Sequence, residues 1–591
     1  MPRSTFAYTN FTAGELSPRL DGRSDLQKYF QGCKTLQNMV VHPHGGATRR
    51  PGTKFIAETK SNGEARLIPF EFSTTQTYVL EFGNTYMRVY KDGGQVLNSG
   101  TVVEISTPYS AAEANELKFT QSADVLYIVH PSHQPRKLSR TSHTSWTLSL
   151  YAPTANPFSS SNNFPSCVTF FEERLVFAGT NNDPQKLFFS KAGDFEDMTI
   201  GTNAGDGMNF TIGSDQVNAI KYLKGLRTLL IGTVGGEFVA TASTSAEPIT
   251  PTNIQIKRQA GYGTSDVDAL LAGNRILFVQ RAGKKIRELV FDFDTDGYIA
   301  PDLTLLAEHI AGSGVGTGFT NWTYQQEPDS IVWVVRSDGV LTGMTYQRGE
   351  NVVAWHRHIL GGTFSSGNAV VESVAAISNS LSTAKGEDSL YMIVKRTING
   401  GTKRYVEVMQ PFDFADDIED AWFLDSALQY SGGATTSLSG LSHLEGQTVT
   451  ILANGSTHPD KVVSSGAVTL DRSVTKAIVG LKYTSALQTM RIESGSADGS
   501  AQGKVKRIQE ITARFFQTVG AEIGSSSTQT DLIPFRDSSM AMDTAVELFT
   551  GDKQIEFNGD YETDGFIYIQ QQQPLPMTIT AMYPQLNTYD G

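Results

Sequence analysis

Cysteine is nearly missing. Cys33 and Cys167 are the only two in 591 residues, too few for a disulfide framework or a cysteine-rich metal centre, so a chain made in a reducing compartment is expected. Long apolar runs are missing as well. None approaches the ~20 residues of a membrane-spanning helix, and the opening Met1-Pro-Arg-Ser-Thr-Phe6 lacks the apolar core of a secretory signal. Hydrophobic residues make up only 39% and charged residues 18%. That excludes a coiled coil, in which about half the residues are Ala, Glu, Lys, Leu and Arg. Positive charge is also short: the net charge of −13 argues against tight nucleic-acid binding by phosphate neutralisation. Glycine (55 residues) and aromatics (10%) are plentiful instead. The length allows roughly two to four domains, and a soluble, turn-rich protein is expected.

The charge is uneven. Residues 1–55 hold eight basic groups against Glu15, Asp21 and Asp25, a surplus of five, so the remainder of the chain carries −18. A basic arm on an acidic body suggests docking against a neighbouring copy, the alternative being a merely solvated arm. Ser24 with Gln27 has the spacing of a capping box, and Leu26, Tyr29, Phe30 and Cys33 follow at helical intervals. This predicts one helix over about residues 24–36.

Beyond it, short β-branched and aromatic runs alternate with Gly, Asn, Asp, Ser and Pro clusters, the pattern of strands and turns. One apolar run recurs seven times, centred on Leu80, Leu126, Val176, Leu230, Leu277, Val332 and Tyr391, at spacings of 46 to 59 residues. Partner runs follow, such as Met87-Arg-Val-Tyr90, Ile286-Arg-Glu-Leu-Val290 and Tyr405-Val-Glu-Val-Met409. Four strands with turns need about 40–50 residues, one propeller blade, and strands this apolar are buried on both faces. β-Sandwiches in series are the alternative. After residue 415 the rhythm changes. Thr448-Val-Thr-Ile451 alternates before Asn454-Gly455, the stretch Ser494–Gly503 reads as a flexible linker, and Phe566-Ile-Tyr-Ile569 alternates again. Ile508, Ile511 and Phe515 fit helix and strand equally. The expected fold is mainly β: an arm with one short helix (1–60), a β-propeller-like repeat region (61–415) and a C-terminal β-domain (416–591).

Candidate chemistry is sparse. Asp292, Asp294, Asp296 and Gly297 match the start of a calcium loop, but the closing Glu position is Leu303, so a turn with solvated carboxylates is favoured. The pairs His42/His44, His130/His133 and His356/His358 lack a recognisable third ligand and read as structural or surface histidines. Gly312–Gly318 is glycine-rich without phosphate-loop spacing, and no nucleophile elbow or zinc-helix motif occurs. No catalytic, cofactor-binding or metal residue is expected, and no enzyme activity.

Phe11-Thr-Ala-Gly-Glu-Leu-Ser-Pro-Arg-Leu-Asp-Gly-Arg23, running on to Gly45-Gly-Ala-Thr-Arg-Arg-Pro-Gly52, resembles the N-terminal signature of tail proteins of short-tailed bacteriophages. Ala354-Trp-His-Arg-His358 with Val394-Lys-Arg-Thr-Ile-Asn-Gly400, and Gly440-Leu-Ser-His-Leu-Glu-Gly446, resemble the same family, the tail nozzle or tail tubular protein B class, also known as stabilisation proteins. The resemblance implies a virion location and a homohexameric ring at the distal end of the tail. Such a ring sits below an adaptor protein, carries fibres or a tip or needle protein, and conveys double-stranded DNA without tight binding. An acidic channel lining would let DNA slide. The competing class is a propeller-type glycan-binding or glycan-cleaving receptor protein, tailspike-like, whose Ser-x-Asp-x-Gly-x-Thr-Trp boxes are not matched by Ser337-Asp-Gly339.

Overall fold

The computed structural model describes residues 3–213, 218–244, 247–312, 314, 316–378, 381, 386–493, 500–541 and 544–589; much of the predicted linker at 494–503 lies outside them. The chain forms a seven-bladed β-propeller with further sheets built onto it. Blade 1 is Ala65–Ser73, Gln76–Gly83 and Tyr86–Lys91, with Gly94–Gln95 and Glu104–Ser106 sharing the outer position. Blades 2 to 6 follow as four-stranded antiparallel meanders, beginning at Lys118–Ser122, Cys167–Phe171, Ile220–Gly225, Leu270–Ala272 and Phe319–Gln325. Blade 7 takes three strands from Val370–Ser378, Asp388–Ile398 and Gly401–Met409. Its fourth is Thr53–Glu58, from upstream of blade 1.

The seven recurrent apolar runs are the second strands of the seven blades: Gln76–Gly83, Val125–His130, Arg174–Ala178, Leu229–Thr233, Arg275–Val279, Ile331–Arg336 and Asp388–Ile398. Their apolarity follows from where alternate side chains go. In Ile331–Arg336, Val332 and Val334 pack into the core shared with blade 5, while Ile331, Trp333 and Val335 pack towards blade 7. In Asp388–Ile398, Leu390, Met392 and Val394 face blade 6, and Tyr391 and Ile393 meet Leu67 and Val79 of blade 1. That last core closes the ring. A strand between two sheets has no wet face, so period-two alternation disappears from its sequence.

The remaining strands extend two blades outward. The outer strand of blade 6, Val352–His358, continues through Gly14–Glu15 and Gly32–Gln37 to Ser485–Thr489, Tyr568–Gln571, Glu522–Ser526 and Gln529–Leu532, ten strands in one sheet. Blade 7 continues past Thr53–Glu58 into the long ribbon Asp425–Ser439 and Ala467–Leu481 with Thr448–Ala453 and Ser456–Val462. A third sheet joins Met39–Val41 and Ala47–Arg49 to Thr578–Tyr589, Val505–Thr518 and Phe549–Glu556. Ile508, Ile511 and Phe515 thus belong to a strand, and their side chains enter the same core as Cys33 and Leu36.

Two expectations are corrected. The helix covers only Gln27–Phe30, Leu26 stands at its cap with no side-chain bond, and Cys33 lies in the strand Gly32–Gln37. Pairing with Ser485–Thr489 fills the backbone bonds of that strand and buries Cys33 and Leu36, which outweighs local helix preference. Residues 1–60 are not a free arm either, because their strands belong to all three extended sheets and the divisions at 60 and 415 run through hydrogen-bonded ladders. Among the described residues, no helix is long and apolar enough to cross a membrane.

A chain starting at residue 61 lacks the fourth strand of blade 7 and the strands that join blade 6 to the C-terminal sheets. It is expected to be insoluble or to lose native β circular dichroism, whereas an independent arm would leave a soluble, cooperatively folded remainder.

Candidate functional site

The buried polar residues of the three motif stretches, among them Glu15, Arg50, His356, Arg396 and His443, meet along one seam between the propeller and the C-terminal sheets, whereas Arg19, Arg23, Asn399 and Ser442 are exposed. Gly14 pairs beside Trp355 with φ +65°, and an added Cβ would lie 2.4 Å from the Trp355 nitrogen; at Gly52 it would lie 1.9 Å from Leu424 O. Only glycine permits these backbone approaches. The next residue, Glu15, is 1% exposed; its carboxylate accepts the Leu36 N–H at 2.7 Å and meets His309 Nε2 at 2.8 Å and Arg357 Nε at 3.2 Å. Ser17 donates to Glu308 and caps the turn that starts at Pro18.

Arg49 and Arg50 are fully buried. Arg50 holds Asp425 bidentately at 2.7 and 2.8 Å, donates Nε–H to Asn38 Oδ1 at 3.0 Å and stacks 3.8 Å from the centre of the Tyr483 ring. Arg49 donates to Leu575 O and Tyr483 O, both at 2.9 Å, and to Gln573 O. Asp425 also accepts the Gly361 N–H at 2.7 Å. Close by, Arg396 pairs with buried Glu407, which accepts Thr53 Oγ1 at 2.6 Å. His443 stacks on Phe55 at 4.1 Å and donates Nε2–H to Ser426 O at 2.9 Å. These two arginines are therefore spent inside their own chain, not on a neighbouring body.

His356 and His358 sit in the wall of this seam, fully buried, with Nδ1 of the first 2.7 Å from Nε2 of the second. Thr345 uses its only proton on Val41 O at 2.7 Å, so it must accept from His356 Nε2. His356 Nδ1 then accepts from His358 Nε2–H, and both rings are neutral. Burial pushes His356 down to about 3 and His358 well below the usual range. Burial likewise takes His443 to about 4.

The other histidine pairs behave differently. His42 bridges Asp329 at 2.9 Å and Thr48 at 2.7 Å, while His44 is exposed. His130 and His133 do acquire a third potential ligand that sequence reasoning missed: Glu113 brings one atom within 4.8 Å of one atom of each. The signal for its helix, Ser110-Ala-Ala-Glu113, was visible as a capping box, which holds the Glu113 carboxyl down at about 2 through its bonds to Ser110. The donor chemistry does not suit a metal. The Ser132 N–H fills His130 Nδ1 at 3.1 Å, leaving the proton on Nε2, which donates to Glu116 at 3.1 Å. His133 meets Glu113 at 3.0 Å. Two histidine–glutamate bonds lash the helix Ala111–Glu116 to the turn of blade 2.

Asp292, Asp294 and Asp296 occupy the hairpin turn of blade 5, where Asp292 accepts from Thr295, while Leu303 is buried at the other end of the strand Ile286–Asp292, its N–H on Ile286 O. Ser337-Asp-Gly339 is a turn of blade 6. The Gly312–Gly318 run lies partly outside the described residues, with Thr317 bonding back to Gly312 O. On the propeller axis, the inner strands line a cavity of about 900 Å³ that is open to solvent.

No protein-family model matches the chain, and no curated protein matches it. Similar folds occur among solved structures. Raptor of Chaetomium thermophilum gives a TM-score of 0.37 at 10% identity over 61% of this chain and 29% of that one. The C-terminal WD40 domain of Sif2 gives 0.33 at 10% over 61% and 99%, and the Pan2 WD40 domain of Neurospora crassa 0.35 at 9% over 60% and 91%. The propeller assignment rests on strand order and the cores between blades.

Removing one partner of a buried ion pair leaves the other charge stranded, at a cost of about 3–5 kcal/mol. Arg50→Met and Asp425→Asn are each expected to destabilise the protein by that order in urea unfolding, with the double variant clearly less destabilised than the sum. The neutral histidines set an acid limit. The unfolded chain takes up a proton near pH 6.5 that folded His443 refuses until about 4, so its contribution is complete above 6.5 and declines as pH falls through that window. His443→Gln, which keeps a donor for Ser426 O, should flatten the decline by up to about 1.4 kcal/mol per pH unit.

Proposed function

We propose that this chain is a non-catalytic virion protein, the nozzle of a short bacteriophage tail. Six copies form a ring at the distal end of the tail, an adaptor protein above and fibres or a tip protein below. The observation that carries this reading is the convergence of the motif stretches. Stretches some 340 residues apart in the chain meet as Gly14 beside Trp355 and Glu15 with Arg357, and Arg50 pairs with Asp425, which lies outside the motifs at the start of the C-terminal ribbon. Residues that resemble the family are therefore the ones that join the propeller to the C-terminal sheets. A shared architecture explains such a set better than shared composition does.

A ring of copies also sets the DNA path. On this reading the genome passes between copies, through a channel formed by the ring. A net charge of −13 per chain, repeated around the ring, disfavours phosphate contacts that would arrest DNA.

Negative-stain images and the solution mass of the purified protein test this. A sixfold ring with an opening wide enough for a duplex is expected, with negligible duplex binding at ~0.15 M salt. A monomer or trimer that cleaves glycans would replace the reading with the receptor-protein alternative, and sub-micromolar DNA binding with a steep salt dependence would contradict free passage.

A further inference from the structure

The axial cavity has walls from all seven blades, and its charges do not balance locally. Lys221 pairs with Asp266 and Lys224 with Asp268 at 2.9 Å, while the His130 ring that donates to Glu116 is neutral and brings it no charge. Two cations that line it, Arg66 and Lys118, make no direct ion pair among the described residues, and the Asp268 carboxylate acts on Arg66 only from further off. Arg66 crosses from the inner strand of blade 1 to the end of the helix Ala111–Glu116. There its Nη1 donates to Asn115 O at 2.9 Å and Leu117 O at 2.6 Å, with Ala114 O at 3.4 Å. Its Nε is buried and unpartnered, and Nη2 bonds to nothing among the described residues. Burial lowers the guanidinium to about 10. The Lys118 Nζ lies against Lys221 O and 4.0 Å from Cys167 Sγ.

A cation withdrawn from water without a counter-charge destabilises the state that holds it, and an anion that enters relieves the cost. The rest of the wall sets what that anion must look like. Phe119 and Trp322 are half-buried rings of the wall, and Trp322 is held in place by its Nε1–H to Asp268 O at 2.7 Å. The volume falls in the ~300–1,000 Å³ range of small-molecule sites. We propose that the axial cavity binds one small organic anion, its carboxylate, sulfonate or phosphate head drawn to Arg66 and Lys118 and its flat apolar body against Phe119 and Trp322. This site is independent of the nozzle reading, since it needs only a single chain.

The test is fluorescence titration of the full-length protein with 8-anilinonaphthalene-1-sulfonate, and with uncharged N-phenyl-1-naphthylamine as its neutral counterpart. One saturable sulfonate site per chain is expected, weakened about tenfold by Lys118→Gln and by Arg66→Gln, in keeping with loss of a charge-assisted bond. Asp268→Asn removes an anion from the wall and should tighten the sulfonate, and none of the three variants should change binding of the neutral probe. Lys118→Gln keeps the test valid if loss of the Arg66 helix contacts impairs folding, because the Lys118 side chain bonds only one carbonyl. Absence of saturable binding up to about 1 mM, several equivalent sites, or equal effects on charged and neutral probes would overturn the proposal.

Discussion

The ion pair between Arg50 and Asp425 is the constraint on which the rest of the architecture hangs. It joins residues 375 apart in sequence, lies wholly out of water, and is surrounded by groups that each belong to a different part of the chain: Asn38, Gly361 and Tyr483. A buried pair of this kind gives little net stability against a well-packed apolar alternative, because desolvation offsets attraction. What it does impose is position. Neither charge tolerates being left alone, so the segment that carries Arg50 must lie where the C-terminal ribbon begins, and every partner must be present at once. Arg49, three carbonyls away on the other side, imposes the same condition on residues 483, 573 and 575.

This placement explains why the propeller and the C-terminal sheets do not behave as beads on a string. The fourth strand of blade 7 comes from Thr53–Glu58, directly after the arginines, and the chain then runs into the first strand of blade 1. The same short stretch therefore closes the ring, carries the buried charges and starts the ribbon that extends blade 7. Blade 6 is anchored in a matching way, since its outer strand accepts Gly14–Glu15 and then Gly32–Gln37 before the C-terminal strands. A rigid wall element results, in keeping with the role proposed for it.

The parts of the fold legible in the sequence are those with one local cause. Second blade strands are apolar on both sides because both sides are buried, so seven of them could be located from sequence alone. Residues 24–36 were misread for the opposite reason. Their apolar spacing fits a helix, but the partner that turns Gly32–Gln37 into a strand, Ser485–Thr489, is some 450 residues away. The charge of the N-terminal region misled similarly: composition shows that Arg49 and Arg50 are basic but not that Asp425 and several carbonyls take them out of play. At the candidate site, the motif glycines signalled a fixed backbone path, whereas the tautomer of His356 depends on Thr345, which the pairing of neighbouring strands brings to it.

Residues 11–52 are a structural keystone and not an appendage. Hydrogen exchange of the intact protein measures this directly, because amides in ladders that open only with the whole fold exchange at the global rate. Peptides that cover Gly32–Gln37 and Ala47–Arg49 are predicted to be as protected as those from the outer strands of blades 6 and 7. Rapid exchange over residues 11–52, with the propeller strands still protected, would contradict the account.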